Sequence, residues 1–340
     1  MPAARRSSVL AILPLVQLAR DRGIDPLPLL RKARIAAASI EDPSARVPFA
    51  CELAFVRALL ERTRDPALGL EAGARYHLAL FGLLGAAASA APTIRDVIRI
   101  FLEHLDLTFT PFAVALRETP GEGQLIFADQ TELGILRRFY LDRDIAFVVD
   151  VARTLWPELR ASVPSRIQFD YPEPPEAARY RAAAQCQVIF GADVSAVVAD
   201  LSFDRPRHGT SPLGLRVVEH ELERAFGSMA ASEDLLTAVR RIISIEVTTR
   251  ATRADARFVA AALDLRERTL RRRLAAASTS FRALEDEVLE QVARRHLERG
   301  LSVVSVAERL GYAEPASFVR AYRRWTGHTP GRHRRHERQR

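Results

Sequence analysis

Five arginines between positions 266 and 273 are the side chains whose type and spacing best suit a specific contact with another molecule. A guanidinium group donates two parallel hydrogen bonds, a geometry that matches the O6 and N7 acceptors of guanine in the DNA major groove. Leu270 and Leu274 are one helical turn apart and are expected to pack inward. That packing would leave four side chains facing outward as candidates for base contacts: Arg268, Thr269, Arg271 and Arg272.

A second polar set lies in the helix predicted from Pro315 to Thr326. Phe318, Tyr322 and Trp325 recur at helical spacing, and this stripe is expected in the core rather than against bases. Because the polar side chains here are fewer and smaller, we expect them to position the protein on DNA more than to select its sequence. The candidates for DNA contact in this helix are Ala316, Ser317, Arg320 and Arg324.

Each polar set follows a short apolar helix and a tight turn, an order typical of a helix-turn-helix unit. Val259–Leu263 and the turn at Asp264 precede the first set, and Val303–Leu310 and Gly311 precede the second. The predicted units span about 255–277 and 302–327. Between them, Phe281–Arg299 favours a helix of about 28 Å, close to the roughly 34 Å of one DNA turn. Such a helix would place both units in successive major grooves.

The charge of the chain agrees with a polyanionic partner at its C-terminal end. Residues 233–340 hold 23 arginines and 14 acidic residues, a net charge of +9, whereas the whole chain of 340 residues carries +8. Clustered positive charge of this kind is the electrostatic footprint of nucleic-acid binding. Lys32 is the only lysine in the sequence, a bias that a GC-rich genome would explain equally well.

The first 230 residues mix helix and strand patterns, so we expect an α+β N-terminal domain (1–230) and an all-α C-terminal domain (233–340). The joint is placed in the small-residue run 227–232. Period-two alternation around Pro120-Gly121 predicts a hairpin of Phe112–Glu118 with Gln124–Gln130. The other predicted strands are Ser165–Tyr171 and Val197–Phe203, and the predicted helices are Val9–Arg22, Pro26–Arg34, Phe49–Arg62, Thr93–Leu105, Leu133–Leu155 and Pro212–Phe226.

No catalytic or metal-binding pattern stands out in the sequence, so we expect no enzyme, no cofactor and no metal. Asp142, Asp144 and Asp150 share a predicted helix, where carboxylates usually form a solvated face. Cys51 and Cys186 lack metal or redox spacing, which is typical of a protein of the reducing cytoplasm. Apolar runs are too short for a membrane span, so no membrane partner is expected.

The C-terminal patterns together resemble the AraC/XylS family of bacterial transcription regulators. The chain departs from that family where Asp264 and Ser278 replace usual glycines, and where Pro315 begins the second reading helix. Arg266 replaces a usual capping serine and offers a phosphate contact instead, which makes it a further DNA-binding candidate. The resemblance rests on Leu265–Leu274, Val306–Tyr312, Ser317–Phe318, Ala321–Gly327 and Thr329–Pro330.

The N-terminal half resembles the effector domain called arabinose-binding-like in one branch of that family, through Phe81–Gly85, Ala91–Thr93 and Phe190–Ala192. The resemblance implies a small-molecule effector, whose identity varies within the branch. An apolar pocket with one arginine would suit a carboxylate ligand, although each candidate also fits an ordinary core. The candidate effector-binding residues are Phe81, Leu83, Arg137, Arg138, Tyr140 and Trp156.

We therefore expect a cytoplasmic regulator that binds double-stranded promoter DNA under the control of an effector, which shifts it between two states. The resemblance further implies activation rather than repression, contact with RNA polymerase, and a homodimer formed through the N-terminal domain. Two alternatives stay open at this point. One is an architectural protein that binds DNA without sequence preference, and the other is an enzyme with an accessory DNA-binding tail.

Overall fold

The computed structural model describes residues 6–159, 163–200, 210, 212–226 and 235–337. This part is mainly helical, with two β-sheets in the N-terminal half. The predicted joint at 227–232 lies outside the described residues, as do residues 201–203 of the strand predicted at Val197–Phe203. Among the described helices, none combines the length and the apolar character needed to cross a bilayer.

Helices α1 to α9 build most of the N-terminal domain. Thr93, where the sequence predicts a helix to begin, caps α6, because its hydroxyl accepts a hydrogen bond from the Asp96 amide at 3.1 Å. Three short helices, α4, α5 and α8, were not predicted, since their alanine- and glycine-rich segments carry little periodic pattern. The nine helices described up to residue 226 are α1 Leu13–Asp21, α2 Pro26–Lys32, α3 Phe49–Thr63, α4 Leu68–Gly73, α5 Leu83–Ala90, α6 Ile94–Glu103, α7 Arg137–Leu155, α8 Ala177–Ala184 and α9 Pro212–Phe226.

Two sheets complete the N-terminal domain. The small one pairs β1 with β2, and the main one has the strand order β3-β4-β7-β5-β6. The predicted hairpin is confirmed, with β3 and β4 in register from Phe112 opposite Asp129 to Thr119 opposite Glu122. β5 and β6 are parallel, whereas the other neighbours in the main sheet are antiparallel. The strands are β1 Arg6–Ser8, β2 Arg46–Pro48, β3 Phe112–Thr119, β4 Glu122–Asp129, β5 Arg166–Phe169, β6 Gln187–Phe190 and β7 Ser195–Asp200.

The C-terminal domain is all helical in its described residues, and the predicted fold class is confirmed. Helices α11–α12 and α14–α15 form two helix-turn-helix units, and α13 joins them. Leu270, Leu274, Phe318 and Tyr322 are fully buried, as their spacing predicted. The helices are α10 Leu235–Arg250, α11 Ala256–Ala262, α12 Glu267–Ala276, α13 Phe281–Glu298, α14 Val303–Arg309, α15 Pro315–Thr326 and α16 Pro330–Glu337.

The hairpin β3–β4 lies between the two domains. Side chains alternate along a strand, so Val114 and Phe127 face α6 and α7, whereas Arg117 faces the other way. On that other side Arg117 donates a hydrogen bond to the backbone oxygen of Thr249, near the end of α10, at 3.1 Å. The first helix of the C-terminal domain therefore packs on the hairpin face opposite the N-terminal helices.

The prediction that the carboxylates of α7 form a solvated face was wrong for Asp142 and Asp144. Asp142 and Asp144 are only 0% and 8% exposed. The hydroxyls of Tyr171 and Tyr180 donate hydrogen bonds to Asp142 at 2.6 and 2.5 Å. Burial nevertheless raises the pKa of Asp142 to about 7, because desolvation penalises its ionised form more than the two tyrosine donors favour it. Helix α7 packs against both the main sheet and other helices, so these two carboxylates have buried protein partners instead of water.

Candidate nucleic-acid interface and internal cavity

The first helix-turn-helix unit positions α12 through local capping and one left-handed turn. The Asp255 carboxylate caps α11 by accepting a hydrogen bond from the Phe258 amide at 2.6 Å. The chain then turns at Asp264, whose φ is 51°. Arg266 occupies the N-cap of α12 without a side-chain capping bond. Its guanidinium group is therefore exposed at the start of the helix, where the backbone amides also favour anions.

The polar face of α12 lies opposite its buried leucines. Arg268, Arg271 and Arg272 are exposed, and Thr269 is half-buried at the edge of this face. The Nη2 atom of Arg271 is 2.7 Å from Oε1 of Glu267, one turn earlier. Exposed ion pairs of this kind contribute under about 1 kcal/mol. An acceptor on DNA can therefore replace Glu267 as the partner of Arg271 at little cost.

The second helix-turn-helix unit is fixed by a serine cap and a glycine turn. Ser302 caps α14 by accepting a hydrogen bond from the Ser305 amide at 3.0 Å. Gly311 turns the chain at a φ of 73°, as the sequence predicted, and a Cβ there would lie 3.0 Å from the Ala251 oxygen. Pro315 then begins α15, where its missing amide hydrogen has no helical partner to lose.

The polar side chains of α15 are more engaged than those of α12. Ala316 and Arg320 are exposed, and the Ser317 hydroxyl accepts a hydrogen bond from Arg320 at 2.9 Å. Arg324 lies 2.9 Å from the Asp286 carboxylate on α13. Arg324 is half exposed, so this ion pair adds little stability and leaves the guanidinium within reach of solvent.

Helix α13 contacts the N-terminal domain as well as both units. On this helix the Nη2 atom of Arg295 is 2.6 Å from the Asp129 carboxylate at the end of β4. Arg299, directly after the helix, donates a hydrogen bond to the Ala192 backbone oxygen. We call Asp129, Asp170, Arg137, Arg295 and Arg299 the charged interdomain cluster.

Arg137 and Asp170 form the N-terminal base of this cluster. Arg137 donates to Asp170 at 2.8 and 2.9 Å and to Asp129 at 2.9 Å. Burial alone would raise the pKa of Asp170, but Arg137 and Arg295 outweigh it and hold that pKa well below its usual value. The Ser195 hydroxyl donates a further hydrogen bond to Asp170 at 2.7 Å. Asp170 is therefore ionised at neutral pH and attracts the arginines of α13.

A cavity of about 140 Å³ lies between the main sheet and helices α6 and α7. Phe81 forms part of its wall and stacks on Phe109, with 4.6 Å between the ring centroids. Phe147 completes this aromatic wall at 5.1 Å from Phe81. An engineered cavity of about 150 Å³ with a similar apolar lining stays dry and binds benzene. The described lining also includes Ile94, Val97, Ile98, Phe101, Val114, Leu125, Phe127, Val148, Val151 and Trp156.

The six predicted effector-binding residues do not lie together. Phe81 and Trp156 line the cavity. Leu83 packs at the edge of the apolar cluster around α5, and Tyr140 donates a hydrogen bond to Glu52 at 3.0 Å inside the main core. The remaining two are arginines with protein partners: Arg137 in the charged interdomain cluster, and Arg138 with the Tyr180 hydroxyl at 2.9 Å and Glu176 at 3.2 Å.

Sequence reasoning missed most of the cavity wall and the charged interdomain cluster. Ile94, Val97 and Phe101 recur at helical spacing, a pattern that predicts a buried face but does not distinguish a cavity wall from a filled core. Asp129 and Arg295 are far apart in the sequence and belong to different domains. No local pattern could have linked them.

Two family models match the chain. The model described as the arabinose-binding domain at the N-terminus of AraC transcription regulators matches residues 23–205, and a helix-turn-helix domain model matches residues 259–336. The second match contains both predicted reading helices, α12 and α15. The matched residues therefore agree with the predicted resemblance of both halves of the chain.

Similar proteins carry regulator names. An HTH-type transcriptional regulator of Mycobacterium tuberculosis is 32% identical, and the alignment covers 97% of this chain and 96% of that protein. The ornithine utilization regulator of Pseudomonas aeruginosa is 25% identical, with 94% of each chain covered. Among solved structures, the transcriptional regulator CdpR from Pseudomonas aeruginosa is 22% identical in sequence. The superposition covers 96% of this chain and 98% of CdpR, with a TM-score of 0.49.

The family models and the mycobacterial relative confirm the predicted family. These matches are to transcription regulators, so the alternative of an enzyme with an accessory DNA-binding tail is set aside. The chain belongs to the AraC/XylS family and is a DNA-binding transcription regulator with an N-terminal effector domain.

Proposed function

We propose that the chain activates transcription at promoters that it reads with both helix-turn-helix units, and that a small molecule in the cavity sets how firmly it holds them. The observation that carries this proposal is the exposed basic face of α12, held opposite the buried Leu270 and Leu274. The guanidinium groups on that face suit both guanine edges and phosphates.

The two units have different tasks in this proposal. In the first, Arg268, Thr269, Arg271 and Arg272 contact base edges, while Arg266 contacts a phosphate at the start of α12. In the second, Ala316, Ser317, Arg320 and Arg324 position the protein on the backbone. The joining helix α13 has 18 residues, which span about 27 Å at 1.5 Å per residue. This length supports placing both reading helices on one face of the DNA, since successive major grooves are roughly 34 Å apart.

The route from effector to DNA runs through the β3–β4 hairpin. The cavity touches one face of this hairpin through Val114 and Phe127, and α10 packs on the other. A ligand that favours one arrangement of the hairpin therefore also favours one arrangement of the C-terminal domain, which is a shift between two states. The charged interdomain cluster, at the end of β4, is the second connection between the same elements.

We further propose a homodimer and contact with RNA polymerase. Leu213 and Val217 lie one turn apart on α9 and are 63% and 57% exposed. Exposed apolar side chains on one helix face suit a homodimer formed through the N-terminal domain. The family resemblance supports activation and contact with RNA polymerase, and the DNA partner supports a cytoplasmic location.

The test is binding of the purified chain to DNA upstream of its own and neighbouring genes, followed by fluorescence anisotropy in about 0.15 M salt. Random DNA serves as the competitor. We expect one upstream segment to bind at least roughly a hundredfold more tightly than random DNA. Equal affinity for all DNA, with and without added effector, would contradict site-specific binding and favour an architectural protein.

A matched pair of variants tests the readers. Arg271→Ala is expected to weaken binding to the preferred segment by about 1–3 kcal/mol and to change binding to random DNA much less. Arg57→Ala removes an exposed arginine from α3 and is expected to change neither affinity. An equal loss on both DNAs for Arg271→Ala would assign this side chain to phosphates instead of bases.

A further inference from the structure

The charged side chains of the cavity wall neutralise each other. In the part of the wall that the structure describes, Arg143 and Asp144 are the only charged residues. The Nε and Nη2 atoms of Arg143 lie 2.8 and 2.7 Å from Oδ1 of Asp144. Arg143 Nη2 also donates a hydrogen bond to the Phe109 backbone oxygen at 2.8 Å, and Nη1 lies 3.7 Å from Glu52. One buried cation thus faces two carboxylates.

This balance disfavours an anionic ligand. Burial opposes the charge on Arg143, but Asp144, Tyr76 and Glu52 together outweigh that effect, so the pKa of Arg143 lies above its ordinary value and the guanidinium stays charged. A ligand carboxylate beside Arg143 would also be close to Asp144 and Glu52, whose negative charges would repel it. From the sequence alone, one arginine in an apolar pocket was expected to suit a carboxylate ligand. Here Asp144 already neutralises that arginine.

The hydroxyl donors at the same end of the cavity are also engaged within the protein. Thr108 donates a hydrogen bond to the Leu105 backbone oxygen at 2.6 Å, and Thr110 donates to Asp144 at 2.6 Å. Tyr76 donates to the Ala11 backbone oxygen at 2.5 Å. A sugar hydroxyl placed here would compete with these bonds, and unpaired buried polar groups are costly.

We propose that the cavity takes an uncharged, mainly hydrocarbon ligand about as large as a single aromatic ring, and that this ligand is the effector. The second part rests on the proposed function above. The aromatic wall of Phe81, Phe109 and Phe147 offers ring faces and edges to such a ligand. The cavity volume of about 140 Å³ matches its size.

Isothermal titration calorimetry of the full chain with toluene, benzoate and L-arabinose tests the ligand class. We expect toluene to bind at least roughly tenfold more tightly than the other two probes. Val148→Phe fills the cavity from α7 and is expected to weaken toluene binding by at least about tenfold. Val304→Phe makes the same change at an exposed site on α14 and is expected to leave toluene binding unchanged.

Asp144→Asn provides an independent test that does not require filling the cavity. It removes the carboxylate that neutralises Arg143, so benzoate affinity is expected to rise relative to toluene. Equal or tighter binding of benzoate or arabinose by the unmodified chain would overturn the proposed ligand class. So would toluene binding that Val148→Phe leaves intact, or no toluene binding up to its solubility limit.

Anisotropy with the preferred upstream DNA separates the ligand class from the effector role. A change of DNA affinity on adding toluene, absent in Val148→Phe, is expected if the cavity ligand is the effector. Selective toluene binding without any change of DNA affinity would overturn the effector role and leave the ligand class standing. Toluene binding by a chain that shows no DNA preference would contradict the proposed function alone.

Discussion

The Arg295 guanidinium, on the helix that joins the two helix-turn-helix units, lies 2.6 Å from the Asp129 carboxylate at the end of β4. The Asp129 carboxylate also accepts a hydrogen bond from Arg137, and its backbone oxygen accepts one from Ser244 on α10. One strand end therefore meets both α10 and α13. The N-terminal domain therefore contacts the helix that joins the two helix-turn-helix units.

Arg295→Gln is expected to lower the free energy of unfolding by about 1–3 kcal/mol, less than a fully buried pair would lose, because Arg295 is 15% exposed and Arg137 still neutralises Asp129. Urea denaturation measures this change. Hydrogen exchange should also become faster in α13 and at the end of β4. Arg282→Gln, at an exposed site on the same helix, is the control and should alter neither quantity. Identical behaviour of the two variants would mean that the cluster does not hold the domains together.

In the turns of the C-terminal domain, adding a glycine and removing one are expected to change stability in opposite directions. Ser278 and Asp264 adopt φ values of 58° and 51°, which cost a non-glycine residue about 1 kcal/mol. Ser278→Gly and Asp264→Gly are therefore expected to raise the melting temperature. Gly311→Ala is expected to lower it, since the added Cβ would lie 3.0 Å from the Ala251 oxygen. Calorimetry of the full chain checks all three, and stabilisation by Gly311→Ala would contradict this account.

Two buried groups predict opposite pH dependences of stability. Burial and the nearby Arg295, Arg299 and Arg309 lower the pKa of His296 to about 3. Between about pH 3 and 6.5 the imidazole of His296 is protonated in the unfolded chain but neutral in the native state. The free energy of unfolding therefore decreases as pH falls below about 6.5. Asp142, with its pKa raised to about 7, keeps a proton that the unfolded chain has lost, so it reduces stability as pH rises from about 4 to 7. Each slope is about 1.4 kcal/mol per pH unit.

Variants separate these two contributions, which oppose each other between about pH 4 and 6.5. Relative to the unmodified chain, Asp142→Asn should lose stability as pH falls through this range, because only the His296 contribution remains. His296→Gln should gain stability as pH falls through the same range, because only the Asp142 contribution remains. Urea denaturation at pH 4.5, 5.5 and 6.5 provides the measurement. Parallel pH profiles for both variants would show that neither group titrates as described.

The DNA-binding half of the fold was predictable because its signals are local. Leu270 and Leu274, or Phe318 and Tyr322, follow the period of a helix whose one face must be buried, and Gly311 marks a turn that needs a positive φ. The hairpin β3–β4 was equally clear from its alternation. The strands β1, β2 and β6 were missed because three or four residues are too few to show a period, and the helices α4, α5 and α8 were missed because small residues carry little periodic signal.

The sequence by itself determined the two helix-turn-helix units, the basic face of α12 and the family, because residues near each other in the chain create those patterns. The tertiary structure decided which polar residues of α7 are buried, where the cavity lies, and that Asp129 meets Arg295. These features depend on contacts between distant segments. Asp142 illustrates the difference: helical spacing suggested water around it, and only the packing of Tyr171 and Tyr180 against α7 supplies its partners.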